Sequence, residues 1–260
     1  MSSLASVVRY HARGLGALQA FAGTGGPQVN AATLGGRSVD PSAEPYWERF
    51  DNLVARFYPA LGEADGLTRD AIALSESRLG LKLPGRLVEF YALCGHRDDL
   101  LSSYEQLLPP DRLRLEDGVL VFVDENQGVA QWGIRTADGD PAVWRKDFTA
   151  DPFWEPDHNR LSDFLISFVL WQAVNGGAPA GGVGSADSRI FDAISSWPEF
   201  PIEGSHWTDT RFFALNGQLL CLLGKQDVSV LAAARDDAAF AALDASVQLA
   251  WDYTWPERDG

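Results

Sequence analysis

Apolar residues recur first at helical spacing and then at strand spacing along this chain. In "PYWERFDNLVARFYPAL", which starts at Pro45, Trp47, Phe50, Val54 and Phe57 fall on one helical face. Thr68 offers an N-cap and Gly80 a stop for a second helix ending at Leu79. In "LGLKLPGRLVEFYALCG", Pro84 suits a first helical turn. Leu87, Phe90, Tyr91 and Cys94 then make an i, i+3, i+4, i+7 stripe that Gly95 ends, which predicts a helix over 85–94.

The period then changes. Val119 to Val123 reads as a strand, and Val129 to Ile134 alternates, with Ala130, Trp132 and Ile134 on one face. "DPAVWRKD" is a third short strand. Ser162 is placed to cap a helix carrying Leu165, Phe168, Val169 and Trp171, which runs out at Asn175-Gly176-Gly177. "RFFALNGQLLCLLG" is a hairpin about Asn216-Gly217, "DVSVLAAA" adds a strand, and Asp236 or Asp237 caps a last helix through Leu249. These late strands present a second apolar face that needs a partner. Helices, then antiparallel strands, then alternation predict an α+β fold with one antiparallel-rich central sheet flanked by helices.

Two stretches break the pattern. Residues 1–44 read as a helix candidate, Leu4 to Phe21, followed by a flexible linker rich in Gly, Ala, Ser and Pro. Residues 45–260 then form a single domain. "APAGGVGSADS" reads as a second flexible joint. The runs "GTGG" and "GGVG" follow no predicted strand and open no helix, so they do not cradle phosphate.

Composition narrows the function classes. The net charge is −15, and residues 1–40 carry three Arg against one Asp, so the acidity belongs to the body. Such a surface disfavours nucleic acid and anionic membranes and favours basic partners. No stretch approaches the roughly 20 apolar residues of a membrane span. Arg9, His11 and Arg13 interrupt the place of a secretory h-region, so the expected location is the cytoplasm. Cys94 and Cys221 lie far apart in apolar runs and read as buried thiols.

Signatures of chemistry are thin. CxxC, HExxH, P-loop and GxSxG motifs are absent, and His11, His96, His158 and His206 are isolated from one another. No metal or cofactor is expected. Asp138 and Asp140 in "TADGDP" resemble a fragment of a cation loop, and a hairpin turn explains both without a metal. "VLVFVDENQGVAQWGI" sets Glu125, Asn126 and Gln127 together between two strands. Glu125 with two amides could serve acid/base chemistry, but no nucleophile, base or metal stands beside it. The competing reading has Asn126 and Gln127 hydrogen-bonding backbone groups at a strand crossover, with Trp132 packed below and Glu125 pointing to solvent.

The order "LGLKLPGRLVEFY…CG", "VFVDENQGVAQWGI", "DPAVW", "RLSDFLISFVLWQAV" resembles the SUKH superfamily, which includes fungal cell-wall-assembly regulators and bacterial immunity proteins of polymorphic toxin systems. Leu83-Pro84 at the helix entry and Glu125-Asn126-Gln127…Trp132-Gly133 carry most of the resemblance. Cys94-Gly95-His96 departs from the Asn-Gly expected after that helix. The resemblance implies an α+β domain without enzymatic activity that binds and neutralises a toxin domain, such as a nuclease, or else a regulatory scaffold. The expected partner is a basic protein domain, met by Asp124, Glu125, Asp138 and Asp140.

Overall fold

The computed structural model describes residues 46–135, 139–149, 151–202, 204, 209–225 and 228–256. The helix candidate and linker expected within 1–44 lie outside them. The first described helix, α1 (Tyr46–Phe57), buries Phe50, Leu53, Val54 and Phe57. Helix α2 (Arg69–Leu79) starts where Thr68 Oγ1 accepts from the Ala71 amide, and it stops at Gly80, whose φ of +68° is the left-handed conformation that glycine supplies. Helix α3 (Gly85–Cys94) follows Pro84 and buries the Leu87, Phe90, Tyr91 and Cys94 stripe. Leu83 beside it is buried. A single turn, α4 (Asp98–Leu101), leads into the first sheet.

That sheet holds β1 (Gln106–Leu107), β2 (Arg114–Glu116), β3 (Val119–Asp124), β4 (Ala130–Ile134), β5 (Val143–Asp147) and β6 (Trp154–His158). It runs β1-β3-β4-β5-β6, with β2 also against β3, and every pairing is antiparallel. Ala130, Trp132 and Ile134 face inward as their alternation predicts. Trp132 packs at a tilt against Phe164 and donates Nε1–H to the buried Asp157 carboxylate at 3.0 Å. On the opposite face Gly133 leaves room for Val119, where a Cβ would collide.

Helix α5 (Leu161–Gln172) crosses the inner face, with all its residues buried except Asp163. Its N-terminus is satisfied from outside. The Asp140 carboxylate accepts from the Ser162 amide at 2.8 Å and from Ser162 Oγ at 2.7 Å. Ser162 is therefore inside the first turn, and the cap comes from the β4–β5 loop. A wide turn at 173–177, with Gly176 at φ +103°, carries the chain out of α5.

The expected α+β class with antiparallel strands flanked by helices holds, with two sheets in place of one central sheet, because the later strands form a second. Strands β7 (Ala180–Ser185), β8 (Glu199–Phe200), β9 (Thr210–Leu215), β10 (Gln218–Leu223), β11 (Ser229–Ala234) and β12 (Trp251–Trp255) lie in the order β12-β7-β11-β10-β9-β8. Asn216 and Gly217 take φ of +51° and +78° in the two-residue β9–β10 turn, as the Asn-Gly pair predicts. Alternate residues separate cleanly. Phe212, Ala214, Leu219, Cys221, Leu231 and Ala233 join the core that includes α1, α3, α5 and the first sheet. Phe213, Leu220, Leu222, Val230, Ala232 and Ala234 face the other way. That second face is covered by α6 (Ser188–Ile194) and α7 (Asp237–Val247), the latter capped by Asp236. Covering both faces explains why "QLLCLL" is continuously apolar.

The supposed joint "APAGGVGSADS" is a correction. Residues 180–185 form β7, an interior strand hydrogen-bonded to β11 and β12. Its glycines clear space and do not turn the chain: a Cβ on Gly181 would overlap the Trp255 ring and the Ala232 carbonyl. Glycine composition signalled flexibility, while a tryptophan some 70 residues on required the gap.

Gly181→Ala should therefore destabilise the protein by about 1–3 kcal/mol through overpacking. Urea denaturation would measure this, and an unchanged midpoint would show that Trp255 does not pack on β7.

Candidate functional site

Strands β3 and β4 are joined by five residues, 125–129, and three of the turn's amides end on carboxylates. The Glu125 amide donates to Ala130 O at 3.0 Å, and the Gly128 amide to Glu125 O at 2.9 Å, closing the hairpin. The Glu125 side chain then folds back over its own turn, with Oε2 accepting from the Gln127 amide at 2.8 Å and the Val129 amide at 3.1 Å. The Asn126 amide points inward and donates to Glu105 Oε2 at 2.8 Å. Gly128, at φ +72°, allows the final bend.

The expected division of labour is thus reversed. Asn126 and Gln127 are exposed, and Glu125 is half-buried. The Asn126 side chain hydrogen-bonds the Tyr104 hydroxyl, and backbone satisfaction falls to the two glutamates. The segment is also a hairpin turn within one sheet and not a crossover.

Beside the turn, the outer face of the first sheet carries a polar network centred on Arg114. Its guanidinium holds Asp124 in a fork, Nη2–Oδ1 at 2.7 Å and Nη1–Oδ2 at 3.1 Å. Nε donates to Glu116 Oε1 at 2.6 Å, and Nη2 also reaches Gln131 Oε1 at 3.0 Å. Gln131 in turn donates to Glu116 Oε2 at 2.8 Å. Register accounts for the grouping, since Asp124 pairs with Gln131 across β3–β4 while β2 lies along the other side of β3. With the turn and Phe148 these residues enclose an open hollow of about 600 Å³. Glu116 and Asp124 meet the guanidinium and Glu125 lines the same hollow, so three carboxylates stand there against Arg114, while Lys146 beside Phe148 is paired with Asp117 and the hollow remains acidic. Partial burial pushes the Glu116 carboxyl up, but the Gln131 amide, Arg114 and Lys146 together hold it below its usual range. Phe148 adds an exposed apolar edge.

Asp140 does not join this group. It follows β4, whereas the turn precedes it, so the two lie at opposite ends of that strand. Its carboxylate is occupied by Ser162, with Arg86 Nε 3.9 Å away, which makes it a cap for α5. Asp138 lies outside the described residues. Asp124, expected as a free contact charge, is paired to Arg114.

Glu105 is the functional candidate that sequence reading missed. It is 5% exposed, beneath the turn. Burial and the nearby Glu125 carboxylate push its carboxyl up to about 8, while the Asn126 amide, the Trp171 indole and Arg145 act in the other direction. Its backbone is fixed by α5: Gln172 Nε2 donates to Glu105 O, and Gln172 Oε1 accepts from the Tyr104 amide, each at 2.7 Å. A glutamate in "SSYEQLL" carries no signal of this, because its burial depends on α5 and the turn meeting over it.

A second buried polar group lies at the end of β6, where His158 Nδ1 sits 3.0 Å from Asp157 Oδ2. His96 is exposed, and His11 and His206 lie outside the described residues. Among the described residues no cluster of three or more His, Cys, Asp or Glu is arranged to hold a metal ion. Cys94 and Cys221 are both free and buried, and burial pushes each thiol far above its usual range. No helix among the described residues is long and apolar enough to cross a membrane.

Truncating Glu125 to Ala should cost about 1–3 kcal/mol, because the Gln127 and Val129 amides lose their acceptor. Gln127→Ala should stay within about 0.5 kcal/mol, as an exposed surface change does. Equal losses in chemical denaturation would contradict the observed assignment. Neither a protein-family model, nor a curated protein, nor a solved structure matches this chain, so the meaning of the site rests on its own chemistry.

Proposed function

We propose that the protein is a non-enzymatic binding protein that neutralises a basic protein domain, most simply a toxin domain with a phosphate-binding cleft, by covering it. The observation that carries this reading is the acidic hollow at the β3–β4 turn, with Asp124 and Glu116 on Arg114, Glu125 beside them, the exposed amides of Asn126 and Gln127, and Phe148 at its edge. A nuclease cleft is basic because it holds phosphates, and an acidic, amide-rich surface can compete for the same cations. The body's acidity adds long-range attraction, which speeds encounter and disfavours acidic partners. Occlusion needs no reacting group in the hollow. The SUKH resemblance of "LGLKLPGRLVEFY" and "VFVDENQGVAQWGI" supports the same reading and gives cytoplasmic immunity as its setting.

The network also divides the work within the site. Asp124 is forked to Arg114 and serves to shape the hollow, while Glu125 and Glu116 stand at its edge with oxygen capacity left for a partner. Asn126 and Gln127 offer donors and acceptors that read geometry more than charge.

The test is co-purification from a strain expressing the neighbouring genes, followed by stopped-flow association with the protein recovered. Glu116→Gln/Glu125→Gln should slow association about three- to tenfold at low salt, with the difference shrinking at high salt. Glu125→Gln keeps an acceptor oxygen for both turn amides, whereas Glu116→Gln leaves either Arg114 Nε or Gln131 Nε2 without one, so the melting temperature of the variant is measured beside its association rate. Salt-independent rates, identical in the variant, would rule out this face, and capture of an acidic cellular protein would favour a regulatory scaffold instead.

A further inference from the structure

The turn that carries the proposed contact residues is held from below by a buried carboxyl and from above by a half-buried one. Glu105 Oε2 accepts from the Asn126 amide, and Glu125 Oε2 accepts from the Gln127 and Val129 amides. The two carboxyls are close enough to influence each other. Several groups face Glu105: Glu125 from the turn, Arg145 from β5, the Trp171 indole from α5 and Tyr104 from its own segment. Arg145 is the cation acting on it, but Arg145 Nη1 is engaged with Asp147 Oδ2 at 2.9 Å, so its charge is shared. Solvent does little to screen a group as buried as Glu105.

We propose that the 125–129 turn is a proton-controlled latch: while Glu105 is neutral, Glu125 stays folded over the turn, and loss of the Glu105 proton to bulk water sets two carboxylates against each other and loosens it, against the pull of the Asn126 amide. The yielding partner is Glu125, because its side chain is the more exposed of the two and can swing into water. When it does, the Gln127 and Val129 amides lose their acceptor and the turn opens to solvent. Glu105 has no such path to water, since it is buried beneath the turn and Gln172 holds the Glu105 carbonyl and the Tyr104 amide.

The sign follows from the raised pKa. An ordinary glutamate in the unfolded chain ionises near 4.5, whereas Glu105 in the fold holds its proton to about pH 8. Its contribution to stability is thus complete below the unfolded value and is lost as pH rises through the folded one. At neutral pH the latch is closed, and Glu105 adds no charge to the acidic face. The effect of the latch on partner binding rests on the turn being the contact surface; the latch itself does not.

Nitrogen–proton NMR of the free full-length protein, titrated from about pH 6 to 9.5, tests the proposal without a partner. The Asn126 amide and Trp171 indole resonances should move together with a midpoint near the Glu105 value. The Gln127 and Val129 amides should broaden or exchange faster above it. Glu105→Gln should abolish the common titration and reduce the fall in melting temperature between pH 6 and 9, and Glu125→Gln should lower the midpoint by removing the opposing charge. Resonances that do not move across this range in the wild type, or a titration that persists in Glu105→Gln, would overturn the latch. Either result would leave the proposed partner surface untouched, since that is tested by association rate.

Discussion

Burying helix α5 is the constraint on which the rest of the structure depends. A helix with eleven of its twelve residues buried needs apolar cover nearly all round, and one sheet cannot supply it. The first sheet covers one side through Phe122 and Trp132, which meet Phe164. Helices α1 and α3 flank it, and the Tyr58 hydroxyl donates to Val169 O at 2.8 Å. The inward face of the second sheet belongs to the same contiguous core. The remaining face of that sheet then needs its own helices, which α6 and α7 provide. Each layer follows from the apolar face left open by the one before.

The same helix reaches the candidate site. Gln172, at its last turn, ties down Tyr104 and Glu105, and Glu105 ties down Asn126. Two buried amide bonds and one buried carboxyl thus connect the core to a surface turn. Buried polar groups arranged this way cost little while every member is satisfied and much when one is removed. This explains how an exposed turn with Gly128 at its bend keeps a defined shape. It also places a titratable group where core packing and surface chemistry meet.

Local periodicity was legible in the sequence, and long-range satisfaction was not. The stripe from Leu87 to Cys94 gave α3 to the residue, and Asn216-Gly217 gave the β9–β10 turn. In both, the determining contacts are within a few residues. The "GGVG" strand was misread because its reason, Trp255, lies far along the chain. Asp140 looked like a surface charge because nothing local revealed the N-terminus of α5 that it caps. Glu125 was legible as a polar residue of the β3–β4 connection, but its bonds to the Gln127 and Val129 amides depend on the path of the turn. Glu105 was invisible for the reason that makes it interesting, since three separate segments create its environment.

If α5 is the shared centre, the two sheets cannot unfold independently. Native-state hydrogen exchange under increasing denaturant measures this directly, because it reports an opening free energy for each protected amide. The amides of α5, of β3–β4 and of β10–β11 should converge on one global value, with α6 and β12 at the edges opening more easily. If β10 and β11 instead exchange through a separate opening of lower free energy, while α5 and the first sheet stay closed, the second sheet is an appended layer and the account of α5 is wrong.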